Sequence, residues 1–265
     1  RISTTYDEYS LEHAKGGDYG YEDASLIIKK KGIESARITR GATNGYRHNT
    51  YGFTSEGVII SGGANGWLTA YNTNGEKIAS FIGHSGEVWS IALDGDTLVS
   101  GSADQTIKVW NLKELKEGKK DIYPVVTIFV SKDNEWVMWN EQGFYTASPK
   151  GDRFVGWHVN HGPENAAEYY SAKQFRRYLY RPDIIKRTLE LMSGEKAVAE
   201  FIKKEPGLEK ITVAELVKRA PVDVKIDSVN VQKDGFADIN IRLGKNNTTS
   251  PERITIYING AQALT

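Results

Sequence analysis

The chain has 265 residues, equal numbers of basic and acidic side chains (34 each) and no cysteine. The balanced charge argues against a general polyanion-binding protein, and the lack of cysteine excludes disulfides, cysteine metal sites and a cysteine nucleophile within these residues. No apolar run approaches the ~18–20 residues of a membrane span and no charged-then-apolar leader opens the sequence, so we expect a cytoplasmic protein that does not enter membranes.

The first forty residues give weak secondary-structure signals. Residues 1–24 are polar and rich in glycine and tyrosine without a clear period, which predicts a loop. Ser25–Lys31 and Ser35–Arg40 flank a Lys-Gly turn and are typical of two short strands. Their register matches the last two strands of a repeat unit whose beginning is missing or blurred.

A repeat with a period of 39 residues occupies the next part of the chain. The recurring pairs are Ser61 and Ser100, Asn65 and Asp104, and Tyr71 and Trp110. A fixed period near forty residues, built from short strands and tight turns, is typical of a β-propeller. Strands are predicted at Gly57–Gly62, Trp67–Tyr71, Glu76–Ile82, Glu87–Leu93, Thr97–Ser102, Thr106–Asn111 and Tyr123–Val130.

The second copy of the repeat resembles the WD-repeat pattern. The resemblance is carried by Gly83-His84, Ser100, Asp104 and Trp110-Asn111, with Asn in place of the final Asp. It implies that His84, Ser100, Asp104 and Trp110 form a buried hydrogen-bonded chain, which would satisfy the polar atoms of all four together. The first copy has Asn65 and Tyr71 instead and no Gly-His pair near residue 45. Its network, with Ser61, is therefore expected to be weaker or rewired.

A degenerate third copy follows at Glu135–Asn160. Its strands are predicted to form a terminal blade, with Trp157 in the position of Trp110. The chain thus holds about three to four blades, whereas propellers typically close with ~4–8. Because each blade needs neighbours to bury its faces, we expect further blades before Arg1, and a chain that starts with Arg instead of Met is expected to be a fragment.

Helices and then a second set of strands are predicted after the repeats. The helices are Glu164–Tyr180, Asp183–Met192, Glu195–Lys204 and a short helix opened by a Thr212 and Glu215 capping box. From Pro221 the period changes to two, with strands at Val222–Val229, Phe236–Leu243 and Arg253–Ile258, which look like the start of an immunoglobulin-like sandwich. The fold class is therefore mainly β, organised as blades (1–162), a helical linker (163–220) and an incomplete immunoglobulin-like sandwich (221–265).

A second resemblance concerns the junction between blades and helices. It is carried by Glu135–Trp139, Gly143-Phe144-Tyr145, Gly151–Trp157 and Phe175–Asp183, with Ile256–Gly260 further on. These segments resemble the corresponding segments of bacterial WD-repeat proteins that end in a caspase-like peptidase. The resemblance implies a regulatory scaffold in a stress or antiviral defence pathway involving proteolysis. The peptidase is absent from these residues, since there is no cysteine nucleophile.

Three groups of side chains have the residue types of functional sites. His84, Ser100 and Asp104 have the types of a catalytic triad, but a unit that recurs with the fold favours a structural role. His158 and His161 lie near Asp152, but a spacing of three at a strand end puts side chains on opposite faces, which disfavours a metal site. A basic aromatic stretch that could bind a partner contains Arg176, Arg177, Tyr180 and Arg181.

The leading hypothesis is a non-catalytic protein-interaction and regulatory scaffold without cofactor or metal. Its expected partners are the missing blades, a downstream effector domain and a protein ligand, whereas the zero net charge disfavours nucleic acid. One alternative is a free-standing WD-repeat interaction subunit of a multiprotein assembly. Another is a hydrolase with its site on the propeller face.

Overall fold

Three β-sheets, each built mainly from one stretch of the chain, dominate the structure, a computed structural model. It describes residues 2–14, 25–41, 45–160, 164, 167–208, 211, 215–216, 224–232, 237–243, 256–258 and 261–264. The chain divides into a larger unit, Arg1–Glu215, and a smaller one, Leu216–Thr265. The fold is mainly β, and within the described ranges no helix combines the length and apolarity needed to cross a bilayer.

Sheet 1 contains the N-terminal strands. They are β1 (Thr5–Tyr6), β2 (Tyr9–His13), β3 (Ser25–Lys30) and β4 (Ile33–Thr39), hydrogen-bonded in that order. The loop prediction for residues 1–24 is therefore wrong for Thr5–Tyr6 and Tyr9–His13. Leu11 of β2 pairs with Ile28 of β3 and is buried, so strand pairing orders a segment whose own composition is polar.

Sheet 2 is the first copy of the repeat. Its strands are β5 (Thr50–Phe53), β6 (Ile59–Gly62), β7 (Leu68–Tyr71) and β8 (Lys77–Phe81). A two-residue strand, β12 (Asp121–Ile122), comes back from later in the chain and pairs in parallel with the outer edge of β8. Asn65 lies in the turn between β6 and β7 with a φ of 55°, which an asparagine tolerates better than most residues.

Sheet 3 has six strands. They are β9 (Val88–Asp94), β10 (Thr97–Ser102), β11 (Thr106–Asn111), β13 (Val126–Val130), β14 (Trp136–Trp139) and β15 (Tyr145–Ala147), in the order β15-β14-β13-β11-β10-β9. We expected Glu135–Asn160 to form a separate blade, but β14 and β15 extend this sheet. A tight turn with Asn134 at a φ of 61° joins β13 directly to β14, so the two strands form a hairpin and no new sheet begins.

The sheets pack face to face. Sheet 1 meets sheet 2 through a buried cluster that includes Leu11, Leu26, Ile28, Ile38, Phe53, Ile59 and Tyr71. Sheet 2 meets sheet 3 through a second cluster that includes Ile60, Leu68, Ala70, Phe81, Val88, Ile91, Leu98, Trp110 and Ile122. Phe81 and Trp110 make an edge-to-face contact across this second junction, with ring centroids 5.5 Å apart.

The region after the sheets mixes strand and helix. It contains β16 (Gly156–Val159), β17 (Glu168–Ser171), a 3₁₀ turn at Ala172–Phe175, α2 (Arg176–Leu179), α3 (Pro182–Leu191) and α4 (Gly194–Ile202), and a short α1 (Lys113–Lys116) lies earlier. The helix predicted over Glu164–Tyr180 is wrong for its first part, since Tyr169 and Tyr170 pair with β16 and aromatic residues favour strands. Only residues 215–216 of the fourth predicted helix are described, and they are helical.

The smaller unit contains two antiparallel pairs. β18 (Val224–Val231) pairs with β19 (Ala237–Leu243), and β20 (Ile256–Ile258) pairs with β21 (Ala261–Leu264). A register shift lies between Ile226 and Ser228. The immunoglobulin-like sandwich stays a prediction, as do the blade number and the domain boundaries at 162 and 220.

Equivalent positions of the two repeat copies differ sharply in burial, which gives a first test of the sheet stack. Leu68 is 1% exposed between sheets 2 and 3, whereas Ile107, 39 residues later, is 41% exposed. We expect Leu68→Ala to lower the free energy of unfolding by about 2–4 kcal/mol because it leaves a cavity, and Ile107→Ala to lower it by less than about 1 kcal/mol. Chemical denaturation of the two variants checks this, and equal losses would contradict the assigned packing.

Candidate functional site

A directional hydrogen-bonded chain ties the connection before sheet 3 to the sheet itself. Trp110 Nε1 donates to Ser100 Oγ at 2.8 Å, Ser100 Oγ lies 2.8 Å from His84 Nε2, and His84 Nδ1 lies 2.8 Å from Asp104 Oδ2. An ionised carboxylate only accepts, so Nδ1 of a neutral His84 carries the proton and Nε2 accepts the Ser100 hydroxyl proton. Every donor in the chain therefore has an acceptor.

Asp104 is the charged end point of this chain. It accepts from the backbone N–H of Thr106 at 2.8 Å, the Thr106 hydroxyl at 2.6 Å and the backbone N–H of Ser85 at 3.1 Å. Burial acts to raise the pKa of Asp104, but these hydrogen bonds and the one from His84 outweigh it and lower the pKa to about 2. Burial lowers the pKa of His84 despite the neighbouring carboxylate.

The His84, Ser100 and Asp104 contacts have the order of a catalytic triad, but Ser100 is sealed from substrate. Its side chain lies in the core at 1% exposure, beside the fully buried Trp110. The Trp110 N–H also occupies a lone pair of the hydroxyl that a nucleophile would need free. The arrangement therefore suits a fold-stabilising role.

The first repeat copy builds a different network around His48. His48 Nδ1 lies 2.7 Å from Ser61 Oγ, and its Nε2 lies 3.2 Å from the backbone oxygen of Ile38. Asn65 is exposed in its turn, and the Tyr71 hydroxyl accepts from Arg40 Nε at 3.3 Å. Asn65 and Tyr71 thus have contacts unlike those of Asp104 and Trp110.

Sequence reasoning missed His48 and Arg40. His48 follows an arginine where the repeat pattern has glycine, although its spacing of 36 residues from His84 is a usable signal. The buried Arg40 donates through Nη1 to the Arg47 backbone oxygen and through Nη2 to that of Ser61. Burial, with a further contribution from the Arg40 charge, lowers the pKa of His48 to about 3.

Trp157 and the basic stretch lie outside this network. Trp157 packs against Phe175, with ring centroids 5.6 Å apart.

Arg176 Nη1 binds the buried Asp152 at 2.6 Å and its guanidinium lies over the Tyr180 ring. Arg181 is paired with Asp183 and Glu205, and Arg177 lies over the Tyr178 ring. His158 packs against Tyr169 with the two rings tilted, whereas His161 lies outside the described residues. Partner binding by the four predicted residues stays a prediction.

A seam of polar contacts fixes the helices to sheet 3. The Tyr145 hydroxyl donates to the Ala172 backbone oxygen at 3.2 Å, and the Arg181 N–H donates to the Tyr145 backbone oxygen at 2.9 Å. Asn140 Nδ2 donates to Thr188 Oγ1 at 3.3 Å. With the buried Asp152–Arg176 pair, these contacts join α2 and α3 to β15 and its neighbours.

Trp89 is an exposed aromatic side chain held in a fixed orientation. It is the residue of β9 without a partner in the ladder, between Val88 and Ser90, where the register with β10 shifts. Its indole is 61% exposed, and its Nε1 donates to Glu87 Oε2 at 3.1 Å. Glu87 Oε1 accepts in turn from Asn49 Nδ2 at 2.9 Å. A bulge commonly re-aims a side chain in this way next to functional sites.

Comparison with known proteins identifies a repeat family in this part of the chain. Residues 75–111 match the WD40 family, described as WD domain, G-beta repeat. This segment is therefore similar to a WD repeat. All four members of the hydrogen-bonded chain, together with Trp89, lie within the matched segment.

Curated relatives of the chain include proteins named eukaryotic translation initiation factor 3 subunit I. That of Debaryomyces hansenii is 39% identical over 69 residues, which are 24% of this chain and 20% of the relative. That of Candida glabrata is 52% identical over 44 residues, 16% of this chain and 13% of the relative. That of Xenopus tropicalis is 39% identical over 49 residues, 18% and 15% respectively. The chain spans a fifth or less of these relatives.

Solved structures overlap about half of the chain. The computationally designed Ika8 protein covers 51% of this chain and 44% of its own, with a TM-score of 0.36 and 19% identity. The WD40 beta propeller domain of Doa1 covers 55% and 48%, with a TM-score of 0.35 and 15% identity. TM-scores of this size do not establish a shared overall fold.

Removing the Asp104 carboxylate tests the first network. Asp104→Ala leaves the donors on Ser85, Thr106 and His84 without their acceptor, so we expect it to lower the free energy of unfolding by about 1–3 kcal/mol. Thermal unfolding followed by fluorescence measures the change. Asp133→Ala, on an exposed turn, is the matched control and should leave the melting temperature close to that of the parent. Identical melting temperatures for Asp104→Ala and the parent would contradict the network.

Acidification tests the buried state of His48. Its pKa is about 3 when folded and near 6.5 when unfolded, so the unfolded chain binds the extra proton between these values. Stability is therefore full above about pH 6.5 and should fall by about 1–2 kcal/mol between pH 6.5 and pH 5. Denaturant titrations should show a shallower decline for His48→Gln, with His158→Gln, on an exposed strand, as control. An unchanged decline in His48→Gln would refute the assignment.

Proposed function

We propose that this chain is a non-catalytic protein-interaction module within a multiprotein assembly. The observation that carries the proposal is Trp89, a large apolar side chain left in solvent and yet fixed by Glu87 and Asn49. Tryptophan is enriched among the residues that contribute most to protein interfaces, and fixing it beforehand lowers the entropy cost of binding. A cytoplasmic location and the absence of a cofactor belong to the same proposal.

The composition of the repeat supports interaction over catalysis. His84, Ser100 and Asp104 are engaged with Trp110 in the core, which leaves no exposed nucleophile in that network. The relatives are named as subunits of an initiation factor, which favours a role as one subunit among several. The free-standing WD-repeat subunit is therefore the better supported of the scaffold hypotheses.

A second candidate is a regulatory region coupled to an effector domain, which the resemblance suggests is a caspase-like peptidase. The seam that joins Tyr145, Asp152 and Asn140 to the segment 172–188 favours it, because a rigid junction suits the passage of a signal from blades to helices. The domain boundaries predicted at residues 162 and 220 are part of this candidate. The relatives reported above are eukaryotic subunits. The hypothesis of a bacterial peptidase domain is therefore supported only by the sequence segments that resemble such proteins. A Cys/His domain in the same reading frame would support it.

The proposal is tested by removing the tryptophan anchor. We expect the parent chain, expressed in its source cells, to migrate with a large complex, and Trp89→Ala to migrate largely alone, because the variant loses apolar contact area at the interface. Stability should change by less than about 0.5 kcal/mol, since the side chain is mostly exposed. Tyr123→Ala removes another exposed aromatic side chain and should keep the complex.

Two results would overturn the proposal. One is co-migration of Trp89→Ala with the complex at the parental level. The other is ester or peptide hydrolysis by the purified chain that is lost in Ser100→Ala while the folded fraction is kept, which would favour the hydrolase hypothesis.

A further inference from the structure

A carboxylate lies at the edge of the exposed Trp89 indole. Glu87 Oε2 accepts the indole N–H at 3.1 Å, and Glu87 Oε1 accepts a hydrogen bond from Asn49 Nδ2 at 2.9 Å. Both donors are neutral, and within the described part of the chain no lysine or arginine forms an ion pair with Glu87. Trp89 and Glu87 therefore present a fixed aromatic ring next to a negative charge that the described residues leave without a counter-charge.

Aromatic rings elsewhere in the described chain are covered by its own cations. The Lys77 ammonium lies 5.4 Å from the ring centroid of the half-buried Trp67, and the Arg153 guanidinium lies 4.6 Å from that of the exposed Phe154. Over the Trp89 ring, which is 61% exposed, the described residues place no lysine or arginine. Since indole is the aromatic ring that attracts cations most strongly, a favourable cation site is left open at Trp89.

This site lies where sheet 2 meets sheet 3. Asn49 donates its backbone N–H to the Gly62 oxygen of β6 at 2.9 Å, and its side-chain amide donates to Glu87 and, at 3.3 Å, to the Val88 oxygen of β9. Both sheets of this junction belong to the described chain. A further sheet stacked on sheet 3 would meet its opposite face, so the occupant of the Trp89 site is expected to be a different element.

An apolar side chain is a poor occupant of this site. Because Glu87 Oε2 is hydrogen-bonded to the ring itself, a group that displaces water from the indole also displaces water from the carboxylate. Burying an ionised carboxylate without a counter-charge costs more than the burial of one indole contributes. An anionic group would add repulsion to that cost. The charge therefore favours a cation as the group that contacts Trp89.

A guanidinium fits this pair of residues better than an ammonium. It is planar and weakly hydrated, so it can lie over an aromatic face, and its N–H groups form a rigid fork that suits a carboxylate. Each Glu87 oxygen has accepted one hydrogen bond here and has roughly one acceptor position left. An arginine side chain can therefore contact the indole and donate to Glu87 at the same time. A lysine ammonium is more strongly hydrated and would lose more water on the same ring.

We propose that Trp89 and Glu87 form a binding site for an arginine side chain of the protein partner. The indole supplies the surface for the guanidinium, and Glu87, held by Asn49, supplies the counter-charge. The inference rests on the proposed function for the existence of a partner, and it adds the chemistry that the partner presents at Trp89. Because the contact is between charges, the complex should weaken as the salt concentration rises.

Removing the charge while keeping the acceptor tests the site. Glu87→Gln retains a side-chain oxygen for the indole N–H, so the ring should keep its orientation. We expect the complex from source cells to dissociate at least about fivefold faster with Glu87→Gln, and to lose much of the acceleration that salt causes in the parent complex. Glu76→Gln is the matched control, because Glu76 is an exposed carboxylate that accepts from Asn72 Nδ2 at 2.7 Å. It should change the dissociation rate by less than about twofold.

The occupant is identified from a neighbouring position. Since the chain has no cysteine, Ser90→Cys provides a unique thiol next to Trp89 for a photo-crosslinker. Capture of a peptide from a different subunit, with an arginine whose replacement by alanine adds nothing further to the effect of Glu87→Gln, supports the proposal. Capture of a segment of the same polypeptide, of a partner peptide without arginine, or of an arginine whose replacement adds fully to Glu87→Gln overturns it.

The arginine site and the proposed function fail in different ways. Parental dissociation and salt dependence for Glu87→Gln, while Trp89→Ala still leaves the complex, overturn the arginine site and keep the proposed function. Migration of Trp89→Ala with the complex at the parental level overturns both.

Discussion

The hydrogen-bonded chain from Trp110 through Ser100 and His84 to Asp104 is the constraint on which the packing of sheet 2 against sheet 3 depends. His84 belongs to the connection between β8 and β9, and its partners belong to β10 and to the turn between β10 and β11. The chain thus fixes where one sheet ends relative to the next. It also lets a polar set lie beside the apolar junction without an unsatisfied donor, because each member supplies what its neighbour lacks.

The first copy reaches a similar result with different chemistry. The Tyr71 hydroxyl does not take the place of the Trp110 indole N–H, and accepts a hydrogen bond from Arg40 instead. The Arg40 guanidinium then binds two backbone oxygens, and its charge helps keep His48 neutral. A repeat can therefore change most of its polar residues and keep its strands, because register and apolar burial are supplied by Ile59, Ile60 and Leu68.

Much of the central repeat is predictable from sequence because independent signals coincide there. Alternation and turn residues place Thr97–Ser102 and Thr106–Asn111 where the structure has β10 and β11. The strand Tyr9–His13 is not predictable in this way, since its order comes from pairing with β3. The Val130–Trp136 hairpin is likewise decided by a turn geometry that looks like an ordinary repeat boundary. For the candidate site, residue types point to His84, Ser100 and Asp104, whereas the roles of His48, Arg40 and Trp89 depend on neighbours far away in sequence.

The two-residue strand β12 has a consequence for how the molecule comes apart. Arrays of repeats usually lose their end units one at a time, since each unit touches only its neighbours. Here Asp121 and Ile122 leave sheet 3, lie along the edge of β8, and return, with Ile122 fully inaccessible in the junction. Sheet 3 cannot separate from sheet 2 while β12 is paired with β8. The edge strand β8 in turn cannot leave sheet 2 without breaking that pairing. The two sheets are therefore bound to melt as one cooperative body, so a repeat boundary drawn on the sequence does not mark a boundary in stability.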